Sequence, residues 1–354
     1  MTWARVQCWA VPVLILAASL VLLALGLALA GYPADRALAA MVRGSVGGWY
    51  ALTSATLVRA VPLIVLGLGI AFAFRAGALN IGAEGQFYAG AMAAAWIGSH
   101  LAGWPAPLAA AALLTSATVA GMLWIVVPVL LKLRFGVLEV ISTLLLNFVA
   151  DALVSYAVTG PLQERSGIYP QSDPIAEAAR LPRLPGTRLH LGLLLALLLA
   201  FLLWWLFART RFGFRLRAVG LGPEAARISG RIPVAGVTAA ALLGSGALAG
   251  LGGGLEVSGV TYTLFQSLSP GYGFTAIAVA LLARLHPAGI IATGVLFGAL
   301  EAGAQGMQRE AGVPAVAVAV VEAVIILVVL VADALVRRRG LGLFGSRDAE
   351  PELP

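Results

Sequence analysis

The sequence predicts an all-α polytopic membrane protein with about ten transmembrane helices, and three observations carry that prediction. Of 354 residues, 60% are hydrophobic and 11% charged, whereas a soluble domain carries roughly 25% charged residues. Mean hydropathy is +0.96. The apolar residues also fall into ten separate runs, which at about 20 residues each use roughly 200 positions and leave no room for an added soluble domain.

The first run, 9–31, follows Arg5 and contains an Ala28-Leu29-Ala30 that could pass for a cleavage site. It exceeds the roughly 7–15 apolar residues of a signal-peptide core, so it reads as a retained helix. Further runs cover 56–74, 78–99, 105–131, 137–159, 189–208, 234–258, 272–283, 287–305 and 313–332. The eighth is short. Its 12 or so residues cover little more than half of a roughly 30 Å hydrocarbon layer, so it reads as tilted, broken or re-entrant.

Charge sets the topology. The sequence holds 23 Lys and Arg against 16 Asp and Glu, and Lys132 is the only lysine. Spread between apolar runs, such charge reports orientation, not nucleic-acid binding. With ten spans and both termini inside, 15 of the 23 basic residues face the cytoplasm, among them Arg75, Lys132, Arg134, the 209–231 arginines and Arg337-Arg338-Arg339. Without the eighth span that last cluster would lie outside. The single Cys8 excludes an internal disulfide, and His100, His190 and His286 lack metal-ligand spacing.

Two connections are long enough to carry structure. The extracytoplasmic one, 160–188, contains Pro161, Pro170, Pro174, Pro182 and Pro185, which favours an ordered cap with at most one short helix near 175–180. The cytoplasmic one, 209–233, opens with Arg209, Arg211, Arg215 and Arg217 and continues through Pro223-Glu224-Ala225-Ala226-Arg227-Ile228-Ser229-Gly230. Pro223 suits the first helical position, Glu224 and Arg227 complement the helix dipole, and Gly230 suits its stop. Such a helix either docks into a partner or lies as a solvated loop on headgroups. A short cytoplasmic tail, 337–354, ends the chain.

Polar residues inside apolar runs are costly, so each calls for a reason. Asn80, Glu84 and Gln86 open the third run, and Asn80 and Glu84 are spaced to share a helix face. Asn147 and Asp151 repeat that spacing in the fifth run. Glu256, Gln266, Glu301, Gln305 and Glu322 follow, while Glu139 and Asp333 sit near run ends. Solute pathway and interhelical hydrogen bonding both remain open for them. The stripes Gly246-Ala-Leu-Ala-Gly250, Gly250-Leu-Gly-Gly-Gly254 and Gly294-Val-Leu-Phe-Gly298 permit close helix approach, or, at 252–254, a helix break.

No lysine follows a glycine-rich loop, so the chain has no P-loop. It has no H-E-x-x-H and no Ser/His pairing with protease-like spacing. An enzyme reading has no support.

Several signatures occur together in consistent order: Phe74-Arg75-Ala76-Gly77 into Asn80-Ile81-Gly82-Ala83-Glu84-Gly85-Gln86; Gly136-Val137-Leu138-Glu139 to Thr143 with Asn147; and Arg217-Ala218-Val219-Gly220 before Glu224-Ala225-Ala226-Arg227. Ser269-Pro270-Gly271-Tyr272-Gly273-Phe274 and His286-Pro287 complete the set. With these the chain resembles the permease subunits of bacterial ABC importers in the branched-chain amino acid and simple-sugar permease superfamily, nearest its nucleoside-uptake branch.

The resemblance implies an inverted repeat of helices 2–5 and 7–10, and a coupling helix at Pro223, Glu224, Ala225, Ala226, Arg227, Ile228 and Gly230 that docks on a separate ATPase. It also implies a second permease subunit, identical or sibling, an extracytoplasmic solute-binding protein and residence in the bacterial cytoplasmic membrane. ATP and Mg belong to the ATPase, with no cofactor or metal in this chain. Asn80, Glu84, Gln86, Asn147 and Glu256 become candidates for the translocation pathway. Two departures stand out: Leu138 where relatives often have Asn, and Ala283-Arg284-Leu285 where Gly and polar residues are common. The alternatives are a simple-sugar ABC permease, an ion-coupled secondary transporter using Glu84, Asp151 or Glu256, or a membrane assembly factor.

Overall fold

A computed structural model of the chain describes residues 24–314 except 30 and 229, together with 21, 320 and 323. The described residues are helical and contain no strand. Two isolated bridges, Gln171 with Phe265 and Arg183 with His190, are the nearest approach to one. Two compact units emerge: 49–299, and a smaller one joining the described residues up to 48 with those from 300 onward.

Between residues 34 and 311 the helices are, in chain order, α1 (Ala34–Val46), α2 (Trp49–Phe74), α3 (Ala83–Ser99), α4 (Ala106–Phe135), α5 (Glu139–Thr159), α6 (Gly192–Arg209), α7 (Arg211–Leu221), α8 (Pro223–Ile228), α9 (Val234–Thr261), α10 (Tyr272–Leu282) and α11 (Pro287–Ala311). Six of them (α2, α4, α5, α6, α9 and α11) are long and apolar enough to cross a membrane. The chain is therefore a polytopic helical membrane protein. The first and tenth runs, with Glu322, Asp333 and the arginine cluster, lie largely or wholly outside the described residues.

The core of the larger unit is α2 and α9. Beyond Arg59, helix α2 is apolar on all sides, and every residue from Ala60 to Ala73 is buried, as expected for a helix stretch without a polar face. Helix α9 packs against α2, α3 and α4, and its glycines explain how. A Cβ at Gly250 would lie 2.4 Å from the Ala117 carbonyl oxygen, one at Gly90 would lie 2.1 Å from that of Gly250, and one at Gly253 would lie 2.1 Å from that of Phe87. The 246–254 stripes thus serve close packing. The Gly252–Gly254 cluster does not break the helix, which continues to Glu256 and passes into a π-helical turn, Val257–Thr261. In the first half of α11, Gly294 meets Ile64 and Gly298 meets Thr56 in the same way.

In the smaller unit, Gly306 abuts Ala40 and Gly44, and Arg43 pairs with Glu310 at 2.7 Å.

The short eighth run is an 11-residue helix, α10. At 1.5 Å per residue it is about 16 Å long, half of a hydrocarbon layer. It starts after Gly271 (φ 99°) and ends in two left-handed non-glycine residues, Arg284 (φ 51°) and Leu285 (φ 57°). The reversal is held from outside: the Arg75 guanidinium lies 4.3 Å from the Phe207 ring centre and donates from Nε to the Leu285 carbonyl at 3.1 Å.

The 160–191 segment forms an ordered cap on one end of the bundle, with a single 3-10 turn at Glu177–Ala179. Its backbone is stitched to α3 and to the end of α9: Ile175 N–H donates to Tyr262, Ala176 to Gly98, and Leu181 to Ser258. Arg180 and Arg183 both stand over the Tyr262 ring at 4.7 Å. Hydrogen bonds from Gln171, Ser166 and the Tyr169 amide hold the Glu164 carboxyl below its ordinary pKa.

His190 closes the cap. Its ring is buried, with Gly192 and Gly259 so close that a Cβ on either would fall 2.4 to 2.5 Å from it. Burial, followed by the nearby Arg183, lowers its pKa to about 4. An unfolded histidine titrates near 6.5, so between about 6.5 and 4 the unfolded chain binds the extra proton and stability falls as pH drops. At pH 5 the expected loss is about 2 kcal/mol relative to pH 8. The check is a thermal melt of the purified protein across that range, in which His190→Gln flattens the slope.

Candidate functional site

Among the described residues, three places carry most of the polar chemistry. The first is the entry to α3. The third run is expected to be helical from residue 78, with Asn80 and Glu84 on one face, but the helix starts at Ala83 and Asn80 precedes it. The cause is local. Asn80 Oδ1 accepts the Gly82 N–H at 2.9 Å, a side-chain turn that competes with helix formation.

The same amide exchanges two hydrogen bonds with Gln86, at 2.9 and 3.0 Å, and donates to Ser245 Oγ at 2.8 Å. Asn147 reaches in from α5, accepting from Gly85 N–H at 2.8 Å and donating to the Ile81 carbonyl at 2.9 Å. Glu139, in an ion pair with Lys132 at 2.5 Å, accepts from Leu79 N–H. With Thr143 Oγ1 accepting from Ile81 N–H at 3.3 Å, six polar side chains thus fix the 78–86 segment, and Asn80, Gln86 and Asn147 are nearly fully buried.

Glu84 joins that segment to α10. Its Oε2 accepts the Gly273 N–H at 2.6 Å, and the Ser269 hydroxyl bonds the same carboxylate. The carboxyl group is thereby set on the first turn of α10, where it accepts from an amide N–H at the helix start. Tyr88, one turn on, bonds the Ser269 backbone. Glu256 sits apart, buried within electrostatic reach of Arg59 and Arg188. Those two basic neighbours are distant in sequence and were invisible to it.

The second place is a cavity of about 560 Å³ between the end of α3 and the cap. Trp96, Ser99, His100, Gln163 and Asp173 are among its lining residues. The Arg165–Asp173 pair, at 3.2 Å, forms part of its rim. Nothing in the sequence pattern located it, because its walls come from three segments.

The third place is the arginine-rich end. Pro223 to Ile228 is a helix, as the sequence predicts, with Pro223 first and Gly230 left-handed beyond it (φ 67°). Glu224 and Arg227 form an exposed ion pair, and Ala226 is buried. Leu221 is 91% and Ile228 83% exposed, so apolar side chains flank a charged centre. Just before this helix, Gly220 lies against the backbone of Arg75 and Gly77, so close that a Cβ would be 2.2 Å from the Arg75 carbonyl oxygen. The arginine-rich segment therefore touches the start of the loop that leads to Asn80.

Known proteins supply the identity. Residues 52–330 match the family model described as branched-chain amino acid transport system / permease component. The chain is 37% identical over 294 residues to the glucose ABC transporter permease protein TsgB13 of Haloferax volcanii, covering 80% of this chain and 77% of that one. It is 36% identical over 323 residues to the guanosine ABC transporter permease protein NupP of Bacillus subtilis, covering 90% and 92%. The nucleoside ABC transporter permease protein NupB of Lactococcus lactis is 31% identical over 282 residues, covering 76% of each chain. No solved structure matches. An ion-coupled carrier or an assembly factor is set aside by these matches, and the ATP-hydrolysing role falls to a separate subunit of the complex. The chain belongs to the branched-chain amino acid transport system permease family and is the membrane-spanning permease subunit of an ABC importer.

Proposed function

We infer that this subunit imports nucleosides. The observation that carries the reading is the 36% identity to a guanosine permease over nearly the full length of both chains. In this reading the chain crosses the bacterial cytoplasmic membrane ten times with both termini inside, helices 2–5 and 7–10 form an inverted repeat, and the 160–188 cap faces the solute-binding protein. Two permease subunits, identical or sibling, enclose the route. Asn80, Glu84, Gln86, Asn147 and Glu256 line or brace it, and ATP with Mg stays on the ATPase.

A glucose permease is 37% identical over 80% of this chain, so a simple sugar is the second reading. Uptake by the complete importer separates them. Saturable uptake of labelled guanosine, unaffected by excess glucose, is expected. Saturable uptake of glucose alone would overturn the nucleoside assignment.

The coupling helix is assigned to 223–230. The exposed Leu221 and Ile228 supply apolar contacts for a groove on the ATPase, while Glu224 and Arg227 supply rim charges. Ile228→Asp is expected to cut solute-stimulated ATP hydrolysis about tenfold, or about 1.4 kcal/mol of coupling, with unchanged subunit abundance in the membrane. Normal stimulation in that variant would place the docking surface elsewhere.

A further inference from the structure

Asp151 is the outlier of α5. It lies 12 residues into a 21-residue apolar helix, about 18 Å from its start. Its side chain is exposed on the helix surface, and no hydrogen bond or ion pair engages it among the described residues. Hydrocarbon does not accommodate such a group cheaply, since a charge at mid-helix costs about 2.5–3.5 kcal/mol even by the lenient insertion scale. Asn147, one turn earlier, faces inward and is fully used. Asp151 is not part of that bracing.

Its surroundings point one way. The carboxylate is within electrostatic reach of Glu84 and Tyr88 on α3. Positions 84, 88, 92, 95 and 99 recur at helical spacing, so one face of α3 runs from Glu84 to Ser99. That face ends in the 560 Å³ cavity, which Ala95, Trp96 and Ser99 line. The continuation of α5 beyond its last turn, through Leu162 and Gln163, lines the same cavity. A free carboxylate on α5 and a polar cavity between α3 and the cap thus lie along one face of α3, on the side where α5 packs.

We propose that the α3–α5 seam is the wall this subunit contributes to the solute route, from the cavity to Asp151, and that the Asp151 carboxylate receives hydroxyl or N–H donors of a neutral solute on the way. The proposal rests on the permease reading and refines its site. Trp96, 56% exposed at the cavity, offers an aromatic face to a planar or ring-shaped solute. Asp151 then offers acceptors without a tight site, as a conduit needs. Its charge also disfavours anions.

The test uses the complete importer in membrane vesicles, with Cys8→Ser removing the native thiol. A charged, water-soluble thiol reagent is expected to label Asp151→Cys at least tenfold faster than Leu198→Cys, an exposed apolar position on α6. Ser155→Cys, one turn along from Asp151, gives the same readout should Asp151→Cys fail to assemble. Labelling at the rate of the Leu198→Cys control in these variants overturns the proposal.

In the transport arm, Asp151→Asn is expected to raise KM for the solute several-fold at unchanged subunit abundance, and Asp151→Leu to raise it further. Unchanged KM in both variants overturns the solute contact. Labelling requires no cargo, so the seam and the nucleoside reading fail separately. Fast labelling with no nucleoside uptake by the unmodified importer removes only the cargo. Nucleoside uptake with slow labelling removes only the seam.

Discussion

Replacing Gly250 with leucine is expected to eliminate folded subunit from the membrane. Three helices meet at this residue. A Cβ there would fall 2.4 Å from the Ala117 carbonyl oxygen and 2.7 Å from Gly121 Cα on α4, and Gly90 of α3 abuts its carbonyl oxygen from another side. All these neighbours are backbone, so no side chain can rotate away, and the helices must separate. Separation sacrifices the dispersion contacts that drive helix association in lipid. A loss of about 3 kcal/mol or more is expected. Gly236→Ala in the same helix is the control. Its Cβ would meet nothing nearer than 3.9 Å, so the change gains about 0.5–1 kcal/mol of helix propensity. Fluorescence-detected size exclusion of both variants checks the pair, and a folded, monodisperse Gly250→Leu would contradict the tight crossing.

The same crossing shows what sequence can and cannot reveal. Glycine spacing at 246, 250 and 254 disclosed that α9 is approached closely, since only small residues let backbones touch. It could not disclose by which helix, because the partner glycines, Gly90 and Gly121, lie more than a hundred residues away. The short eighth run was legible from length alone, and α10 matches it to one residue. The helix at 223–228 was legible from Pro223, Glu224, Arg227 and Gly230, because capping and dipole preferences are local.

Asn80 was misplaced onto a helix because apolar periodicity continues through it, while its bond to the Gly82 amide decides otherwise. Its other partners, Gln86 and Ser245, show why the buried polar residues resisted assignment. Satisfaction of a buried amide is a long-range property, and hydrophobic periodicity reports only which face turns inward. The cap cavity and the two arginines near Glu256 were hidden for the same reason.

Glu84→Ala is expected to cost about 2–4 kcal/mol, and the loss should appear in stability before it appears in transport. The carboxylate is the link between the start of α3 and the first turn of α10, through the Gly273 amide and the Ser269 hydroxyl. Removing it orphans a buried N–H and leaves a void at a crossing so tight that a Cβ on Gly273 would fall 2.3 Å from the Glu84 backbone nitrogen. Glu84→Gln keeps an oxygen for the Gly273 amide and should recover most of that loss.

A residue that served only to contact solute would behave differently: both variants would melt normally and differ from the parent in uptake alone. Helix α10 is short and ends in strained left-handed residues held by Arg75, which itself lies beside Gly220 of the arginine-rich segment. Glu84 therefore fixes one end of a half-length helix whose other end is in reach of the arginine-rich segment. Thermal melts and uptake measured on the same preparations of both variants separate bracing from contact. A normally melting Glu84→Ala would show that α10 is anchored without this carboxylate.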